Sequence, residues 1–343
     1  MNDPLILGIE TSCDETAASV VRDGRVVLSN VVSSQIELHR KFRGVVPEVA
    51  SRSHTTRILP VIQSALREAD VVANDLSAVA VTHRPGMIGC LLVGISAAKA
   101  LSWLCDIPLI GVDHIHAHIH ASFMVEPDMP LPCLSLVASG GHTALYLVDD
   151  KKAATCLART RDDAAGEALD KGAALLGLPY PGGPSIEEAA RNGDPTAISL
   201  PRPRFRDQSL DFSFSGLKTA LLYHLRGPGL SRPMPTLSAG EVADLSASYQ
   251  AAIVDCLIHR MRKAAQQQGA RSLAIGGGVA RNESLRERIA TDPVLSQIRS
   301  VFPPLDLCSD NGAMVAGIGT RLWQAGEHSG LDLEAMATKK RSA

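Results

Sequence analysis

The sequence predicts an α/β chain folded as two duplicated lobes with a ligand cleft between them. A plan of strand, polar turn, strand, hairpin, strand and helix opens the chain and returns near residue 130. Glycine- or hydroxyl-rich turns follow predicted strands in both halves. At 343 residues, length predicts two domains or one large one, and 45% apolar residues suffice for substantial cores.

In the first half, Leu5 to Glu10 reads as a strand, Thr11 to Thr16 as a polar turn and Ala17 to Val21 as a second strand. Asp23-Gly24 then supplies a hairpin turn into Val26 to Val32. A helix over Pro47 to Ala69 follows, with a kink expected at Pro60. Met87 to Cys105 is the longest apolar stretch; Lys99 and two glycines within it favour a turn and a buried helix over a membrane span. The segment Met124 to Pro132, with three prolines and two acids, is the expected crossing between lobes.

The second half repeats the plan with Cys133 to Ala138, the turn Ser139-Gly140-Gly141-His142-Thr143, Ala144 to Val148, a Lys/Asp turn, Ala154 to Ala158 and a helix over Asp163 to Leu176. Ser185-Ile186-Glu187-Glu188 and Ser238-Ala239-Gly240-Glu241 both match the capping box. The second continues through Val242, Leu245, Tyr249, Ala252 and Cys256 at core-face spacing. Arg226 to Leu237, rich in Pro, Gly and Ser, reads as a mobile surface loop. The expected bounds are 1–122 for the first lobe, completed by a C-terminal helix over 312–335, then 123–311 for the second lobe and 336–343 for a flexible tail.

A net charge of −2 leaves no global electrostatic footprint for nucleic acid, and 3% aromatics leave few rings for base stacking, so any RNA contact must be local or shared with partners. The small basic groups are Arg202-Pro203-Arg204-Phe205-Arg206, His39-Arg40-Lys41-Phe42-Arg43 and Lys339-Lys340-Arg341, each of a kind that is more often solvated surface than binding patch. Seven cysteines, odd in number and without a C-x-x-C pair, fit a reducing compartment. Met1-Asn2-Asp3-Pro4 lacks the basic and then apolar build of a signal peptide, and a cytoplasmic protein without membrane attachment is expected.

The run Asp113-His114-Ile115-His116-Ala117-His118-Ile119-His120 holds four of the chain's eleven histidines. Four residues apart on a helix, His114 and His118 share a face and can share a divalent ion, while His116 and His120 point roughly 200° away. The same run alternates with period two, as a strand with one polar face would. The preceding run Ile107 to Val112 reads as a strand, which favours a helix for the histidines. The best third ligand is Asp310 in Cys308-Ser309-Asp310-Asn311-Gly312, and three protein ligands leave open positions for substrate.

Thr11 to Thr16, Ser139 to Thr143 and Gly276-Gly277-Gly278 ahead of Asn282 are candidate anion sites, because glycine admits a ligand close to backbone N–H groups. Such turns also serve simply to reverse the chain. Asn282 equally reads as the cap of a helix beginning at Glu283, and Asp170-Lys171 as a surface ion pair.

These blocks, together with Gly8 to Thr16, Gly44 to Glu48, Arg84 to Gly89, Asp163 to Lys171, Tyr180 to Pro184, Asp211 to Thr219, Gly276 to Asn282 and Cys308 to Met314, resemble the bacterial tRNA threonylcarbamoyltransferase family, TsaD, over nearly the whole chain. The resemblance implies two actin-like (ribonuclease H-like) lobes of the actin, sugar kinase and Hsp70 ATPase superfamily. It implies one metal ion, usually described as iron with zinc as the alternative, on His114, His118 and Asp310. It also implies a threonylcarbamoyl-adenylate site lined by Val137, Ala138, Ser139, Gly140, Gly141, Asp170, Gly183 and Asn282. The implied reaction moves the threonylcarbamoyl group to N6 of adenosine 37 in tRNAs reading codons that begin with A and releases AMP. Asp14 or Glu15 is the candidate base. The implied partners are TsaB through the first lobe, the ATPase TsaE, and TsaC as the source of the adenylate. The family often has a glutamate between the two histidine ligands where this chain has His116, and His120 is an additional histidine, so ligation by either stays open.

Rival readings are a carbamoyltransferase acting on a small molecule, a non-catalytic nucleotide-binding scaffold, a metallopeptidase and a sugar kinase. The first usually carries its adenylate-forming module in the same chain, for which two lobes leave no room. The scaffold paralogue lacks the histidine pair. His-Glu-x-x-His is absent, and fold alone does not make a kinase.

Overall fold

The computed structural model describes residues 3–42, 44–149, 154–203 and 209–337. Arg43, Arg204-Phe205-Arg206, Lys339-Lys340-Arg341 and most of the Lys/Asp turn after Val148 lie outside the described residues. Two compact units form, one from residues 1–128 and 303–343, the other from 129–302.

In the first unit, β1 (Leu5–Glu10), β2 (Glu15–Arg22), β3 (Val26–Ser34), β4 (Ala78–Arg84) and β5 (Leu109–Asp113) form a sheet of order β3-β2-β1-β4-β5. β1 pairs antiparallel with β2 and parallel with β4, which places it at the centre. Its apolar run is buried on both faces, as a central strand covered by helices requires. The helices are α1 (Ile36–Arg40), α2 (Pro47–Glu68), α3 (Ile88–Cys105) and α4 (His114–Val125). α2 continues as one helix through Pro60. Ile58, Val61, Ile62, Leu91, Ile95 and Ala98 of α2 and α3 pack with Leu7, Ile9, Val79 and Val81 into one core layer.

In the second unit, β6 (Cys133–Ala138), β7 (Thr143–Val148) and β8 (Ala154–Arg159) are followed by α5 (Ala165–Leu175), α6 (Gly182–Ala190), α7 (Ser215–Arg226), α8 (Ala239–Gln268), β9 (Ser272–Gly276), α9 (Glu283–Thr291) and β10 (Arg299–Val301). The sheet order β10-β9-β6-β7-β8 repeats the topology of the first, with β6 antiparallel to β7 and parallel to β9. The duplication expected from the strand pattern is therefore present strand for strand. The Ser238–Glu241 capping box forms as expected, and Gly269 in the left-handed conformation closes α8. Midway along α8, fully buried Tyr249 donates to the Ala168 carbonyl at 2.9 Å and lies against Gly172, where any Cβ would collide with the ring.

The chain returns to the first unit through α10 (Leu305–Cys308) and α11 (Gly312–Gln324). α11 packs with α4 on the other face of the first sheet, bringing Met314, Val315 and Ile318 against Ile6, Ala80 and Ala117.

Four expectations need correction. The unit boundaries fall at 128/129 and 302/303 rather than 122/123 and 311/312, because α4 extends to Val125 and because α10, packed against α4, takes residues 303–311 into the first unit. The C-terminal helix ends at Gln324 instead of running to 335: Gly326 at φ +76° turns the chain, and Ser329 joins edge strand β5, its N–H donating to the Leu109 carbonyl at 2.8 Å. Beyond it the Met336 N–H donates to the His83 carbonyl at 2.9 Å, so the tail begins tethered. Ser185 is not a helix cap; α6 has already begun at Gly182, and the Ser185 hydroxyl donates to the Pro181 carbonyl. The apolar α3 is long and apolar enough to cross a membrane, yet only one face is buried. Cys90, Leu91, Ile95 and Ala98 join the core, and Leu92, Trp103 and Leu104 are exposed.

Candidate metal centre

The site in the first unit begins where β1 ends. Parallel pairing aligns Ile9 with Val81, so the next residues, Glu10 and Thr82, stand side by side, and the Thr82 hydroxyl donates to Glu10 Oε2 at 2.6 Å. On the far side of β4, β5 stops at Asp113, whose carboxylate accepts from the backbone N–H groups of Ile115 and His116. That cap starts α4 at His114 and decides between the two sequence readings in favour of the helix.

On this helix His114 and His118 are both buried, with rings 4.6 Å apart between centroids. Asp310 comes from the turn between α10 and α11. Asn311 fixes that turn by donating to the Ser309 carbonyl and accepting from the Met314 N–H. Asp310 Oδ1 lies 3.0 Å from His118 Nε2 and 3.6 Å from His114 Nε2. The three donor atoms lie within 4.8 Å of one another, and among the described residues no other His, Cys, Asp or Glu group of three does so. Half-buried His116 and His120 stand outside it, His120 stacking on Phe123.

Two imidazole nitrogens and a carboxylate oxygen fit a borderline divalent cation with exchangeable positions. The electrostatics fit as well. Burial disfavours a charged His114, yet the carboxylates of Glu10 and Asp310 outweigh it and push its pKa up to about 9. The pocket therefore favours positive charge. Glu10, fully buried, is pushed up by burial but held below the usual carboxylate range by the charge and hydrogen bond of His114.

Beside these three side chains runs the turn Thr11 to Asp14. Buried His54 of α2 braces it: the Thr16 hydroxyl donates to Nδ1 at 2.7 Å and Nε2–H donates to the Cys13 carbonyl at 3.0 Å. Asp14 is buried. Burial, and then the charges of Asp14 and Asp310, push the Glu15 carboxyl well above its ordinary range. The same environment, burial first, raises the Cys13 thiol.

The other expected ligand residues all belong to the second unit. Val137 and Ala138 are buried at the end of β6, so only their backbone can meet a ligand. In the turn that follows, Ser139 N–H donates to the His142 carbonyl, and α5 packs so tightly that a Cβ on Gly166 would lie 2.7 Å from the Ser139 carbonyl oxygen. Gly140 and Gly141 are exposed, and a Cβ on either would meet nothing within 4 Å. Asp170 accepts the Gly182 N–H at 2.7 Å, tying α5 to the start of α6 next to Gly183. Lys171 pairs with Asp163 and Glu167, not with Asp170. Asn282 is buried and caps α9 by accepting from Leu285 N–H, while its amide donates to Gln250 at 2.9 Å.

The structure thus brings His114, His118 and Asp310 together and keeps Asp14 in the same unit. Sequence reasoning missed Glu10, Thr82 and His54 as parts of the site. The one available signal for Glu10 was a carboxylate closing an otherwise apolar, doubly buried strand.

Among solved structures, HypF from T. kodakarensis superposes with a TM-score of 0.62 at 16% identity, covering 97% of this chain and 49% of that one. Component A of the (R)-2-hydroxyglutaryl-CoA dehydratase of Acidaminococcus fermentans superposes with 0.54 at 13% identity, covering 93% and 98%. These likenesses establish the fold. The chain is an α/β protein with an actin-like fold, here with two buried histidines beside a half-buried carboxylate in its first unit.

The family model for TsaD, tRNA N6-adenosine threonylcarbamoyltransferase, matches residues 26–317. The enzyme of that name from Symbiobacterium thermophilum is 52% identical over 338 residues, 98% of this chain and 96% of the relative. Its counterpart from Trichlorobacter lovleyi is 50% identical over 335 residues, 97% and 96%. The chain belongs to the tRNA N6-adenosine threonylcarbamoyltransferase family and is a transferase that modifies adenosine in tRNA.

Proposed function

We propose that the chain moves the threonylcarbamoyl group of threonylcarbamoyl-adenylate to N6 of adenosine 37 in tRNAs reading codons that begin with A, releasing AMP. His114, His118 and Asp310 hold one divalent metal, iron or alternatively zinc. The convergence of three donor atoms within 4.8 Å in a family member carries the metal reading.

The exocyclic amine of adenine is a poor nucleophile and the mixed anhydride an activated acyl donor, so positioning and electrophilic help account for most of the catalysis. When bound, the metal supplies a Lewis acid for donor oxygens. Gly140 and Gly141 offer backbone N–H groups, and Ser139 its hydroxyl, to phosphate or to developing negative charge, and the open space around both glycines supports this role. Asp170, Gly183 and Asn282 hold the adenylate from the second unit. Asp14 or Glu15 takes the amine proton. Burial and the neighbouring carboxylates raise the Glu15 carboxyl, which makes its ionised form a stronger proton acceptor.

TsaB docks on the first unit, where exposed Leu92, Trp103 and Leu104 of α3 provide apolar surface of the kind that marks a protein interface. TsaE and TsaC complete the set in the cytoplasm, TsaC making the adenylate.

The test combines tRNA, threonylcarbamoyl-adenylate, the partner proteins and either the native chain or His118→Ala, with the modified nucleoside measured by mass spectrometry. Product from the native chain and none from a folded variant is expected. No product with verified donor, tRNA and partners would overturn the assignment.

A further inference from the structure

Glu10 is the most completely buried charged group beside the candidate metal centre, and its contacts select one nitrogen of His114. The carboxylate is fully buried at the end of central strand β1. Oε1 accepts the Ser12 backbone N–H at 2.5 Å. Oε2 accepts the Thr82 hydroxyl at 2.6 Å and the Nδ1–H of His114 at 2.9 Å. A buried carboxylate persists only when its lone pairs are met, and this one meets three donors from β4, α4 and its own turn. Once Nε2 gives up its proton on binding a metal, Glu10 keeps the other on Nδ1, and the Nε2 lone pair lies 3.6 Å from Asp310 Oδ1, on the side of the donor cluster. His118 differs: its Nδ1 is buried with no hydrogen-bond partner among the described residues.

We propose that Glu10 is a positioning residue that fixes the His114 tautomer, so that His114 binds the metal through Nε2. The inference rests on the metal reading above. Imidazole ligands are commonly oriented by a carboxylate on the second ring nitrogen, and loss of such a partner weakens metal binding about 10- to 100-fold. Glu10→Gln is the informative change. The Ser12 N–H and the Thr82 hydroxyl donate to opposite ends of the carboxylate, and a carboxamide has one oxygen for two such ends. With its NH2 toward Oε2, it confronts Nδ1–H and favours the wrong tautomer. With its NH2 toward Oε1, it confronts the Ser12 N–H.

The experiment titrates Zn(II) against the metal-free full chain in competition with a chelator, for the native protein, Glu10→Gln and His118→Ala, with thermal unfolding measured in parallel. Expected are tight binding by the native chain, at least tenfold weaker binding by Glu10→Gln, and loss of site binding in His118→Ala. Nitrogen-15 NMR of the histidine side chains in the native zinc form reads the tautomer directly, whether or not Glu10→Gln folds. A protonated Nδ1 and a zinc-shifted Nε2 on His114 are expected. Equal zinc affinity of native and Glu10→Gln chains, or zinc on Nδ1 of His114, would overturn the role of Glu10 while leaving the metal site standing. A native chain that binds no zinc, cobalt(II) or iron(II) would remove the metal reading and Glu10's role with it.

Discussion

Gly8 on β1 and Gly312 at the start of α11 meet backbone to backbone: a Cβ on Gly8 would collide with the Gly312 carbonyl oxygen, and one on Gly312 would lie 2.5 Å from Ser19 N. Two residues beyond Gly8 stands Glu10, and two before Gly312 stands Asp310. This close approach therefore sets the spacing of the two carboxylates that flank His114. Gly8→Ala must push α11 off the sheet, and a loss of about 1–3 kcal/mol is expected from overpacking. Zinc affinity falls with it, because Asp310 moves with the helix. Gly140→Ala, where the added methyl meets nothing, leaves stability within about 0.5 kcal/mol. Denaturant unfolding of both variants checks the contrast, and a Gly8→Ala protein as stable as the native one would show that α11 yields without cost.

Acid should weaken the first unit through His54. Burial, the largest influence, lowers its pKa, opposed by the hydrogen bond to the Cys13 carbonyl and by the charges of Glu10 and Asp14. In the unfolded chain the ring takes up its proton near the ordinary histidine value of about 6.5, whereas the folded chain resists protonation to lower pH. The unfolded state thus binds more protons in this window. The contribution of His54 is present above about pH 6.5 and is lost as pH falls through and below that value. The stability difference between native protein and His54→Gln should shrink from pH 7.5 to 5.5 in chemical denaturation. A difference that is flat across that range would sink the neutral-histidine account.

β1 to β3 and β5 to β8 were legible as runs bounded by turn residues, with Asp23-Gly24 marking the hairpin, whereas β4 and the three-residue β10 were not read. The two clustered histidines were legible because their separation is a helix period. Glu10 and His54 were not, since each is a single polar residue in an apolar pattern whose partners arrive only with tertiary structure. Thr82 reaches Glu10 through the parallel register of β1 and β4, and Thr16 reaches His54 from a different element. Ser185 misled for a related reason. The first N–H of α6 is satisfied by Asp170, twelve residues upstream on another helix, so the local capping pattern was redundant.

Asn282 separates a structural role from a ligand role. Asn282→Ala removes the cap of α9 and strips Gln250 of its amide donor, and should cost about 1–3 kcal/mol. Asn282→Asp keeps an oxygen for the Leu285 N–H and should cost less. If Asn282 also touches the adenylate, Asn282→Asp raises KM for threonylcarbamoyl-adenylate at least tenfold at near-native stability. Steady-state kinetics on a protein checked by thermal unfolding reads this, and an unchanged KM would confine Asn282 to capping.

Asp162 holds the start of α7 from outside the helix. Its Oδ1 accepts the N–H groups of Phe214 and Ser215 at 2.8 and 3.2 Å, and its Oδ2 accepts the hydroxyls of Ser213 and Ser215. Partial burial raises its pKa, but the bonds from Ser213, Phe214 and Ser215 outweigh it and leave the carboxyl below its usual range. A depressed carboxylate pKa contributes stability that is present above about pH 4 and lost as pH falls through the folded value. Asp162→Ala leaves the Phe214 and Ser215 N–H groups without this acceptor at the end of a helix whose cap position, Phe214, supplies no side-chain hydrogen bond. Hydrogen exchange at Phe214 and Ser215 should then accelerate at least tenfold at neutral pH, with β6 and β7 unaffected. The native chain should approach the same rates, corrected for intrinsic exchange, only in acid. Retained protection in Asp162→Ala would mean that packing of the stacked, buried Phe212 and Phe214 rings holds the segment without the carboxylate.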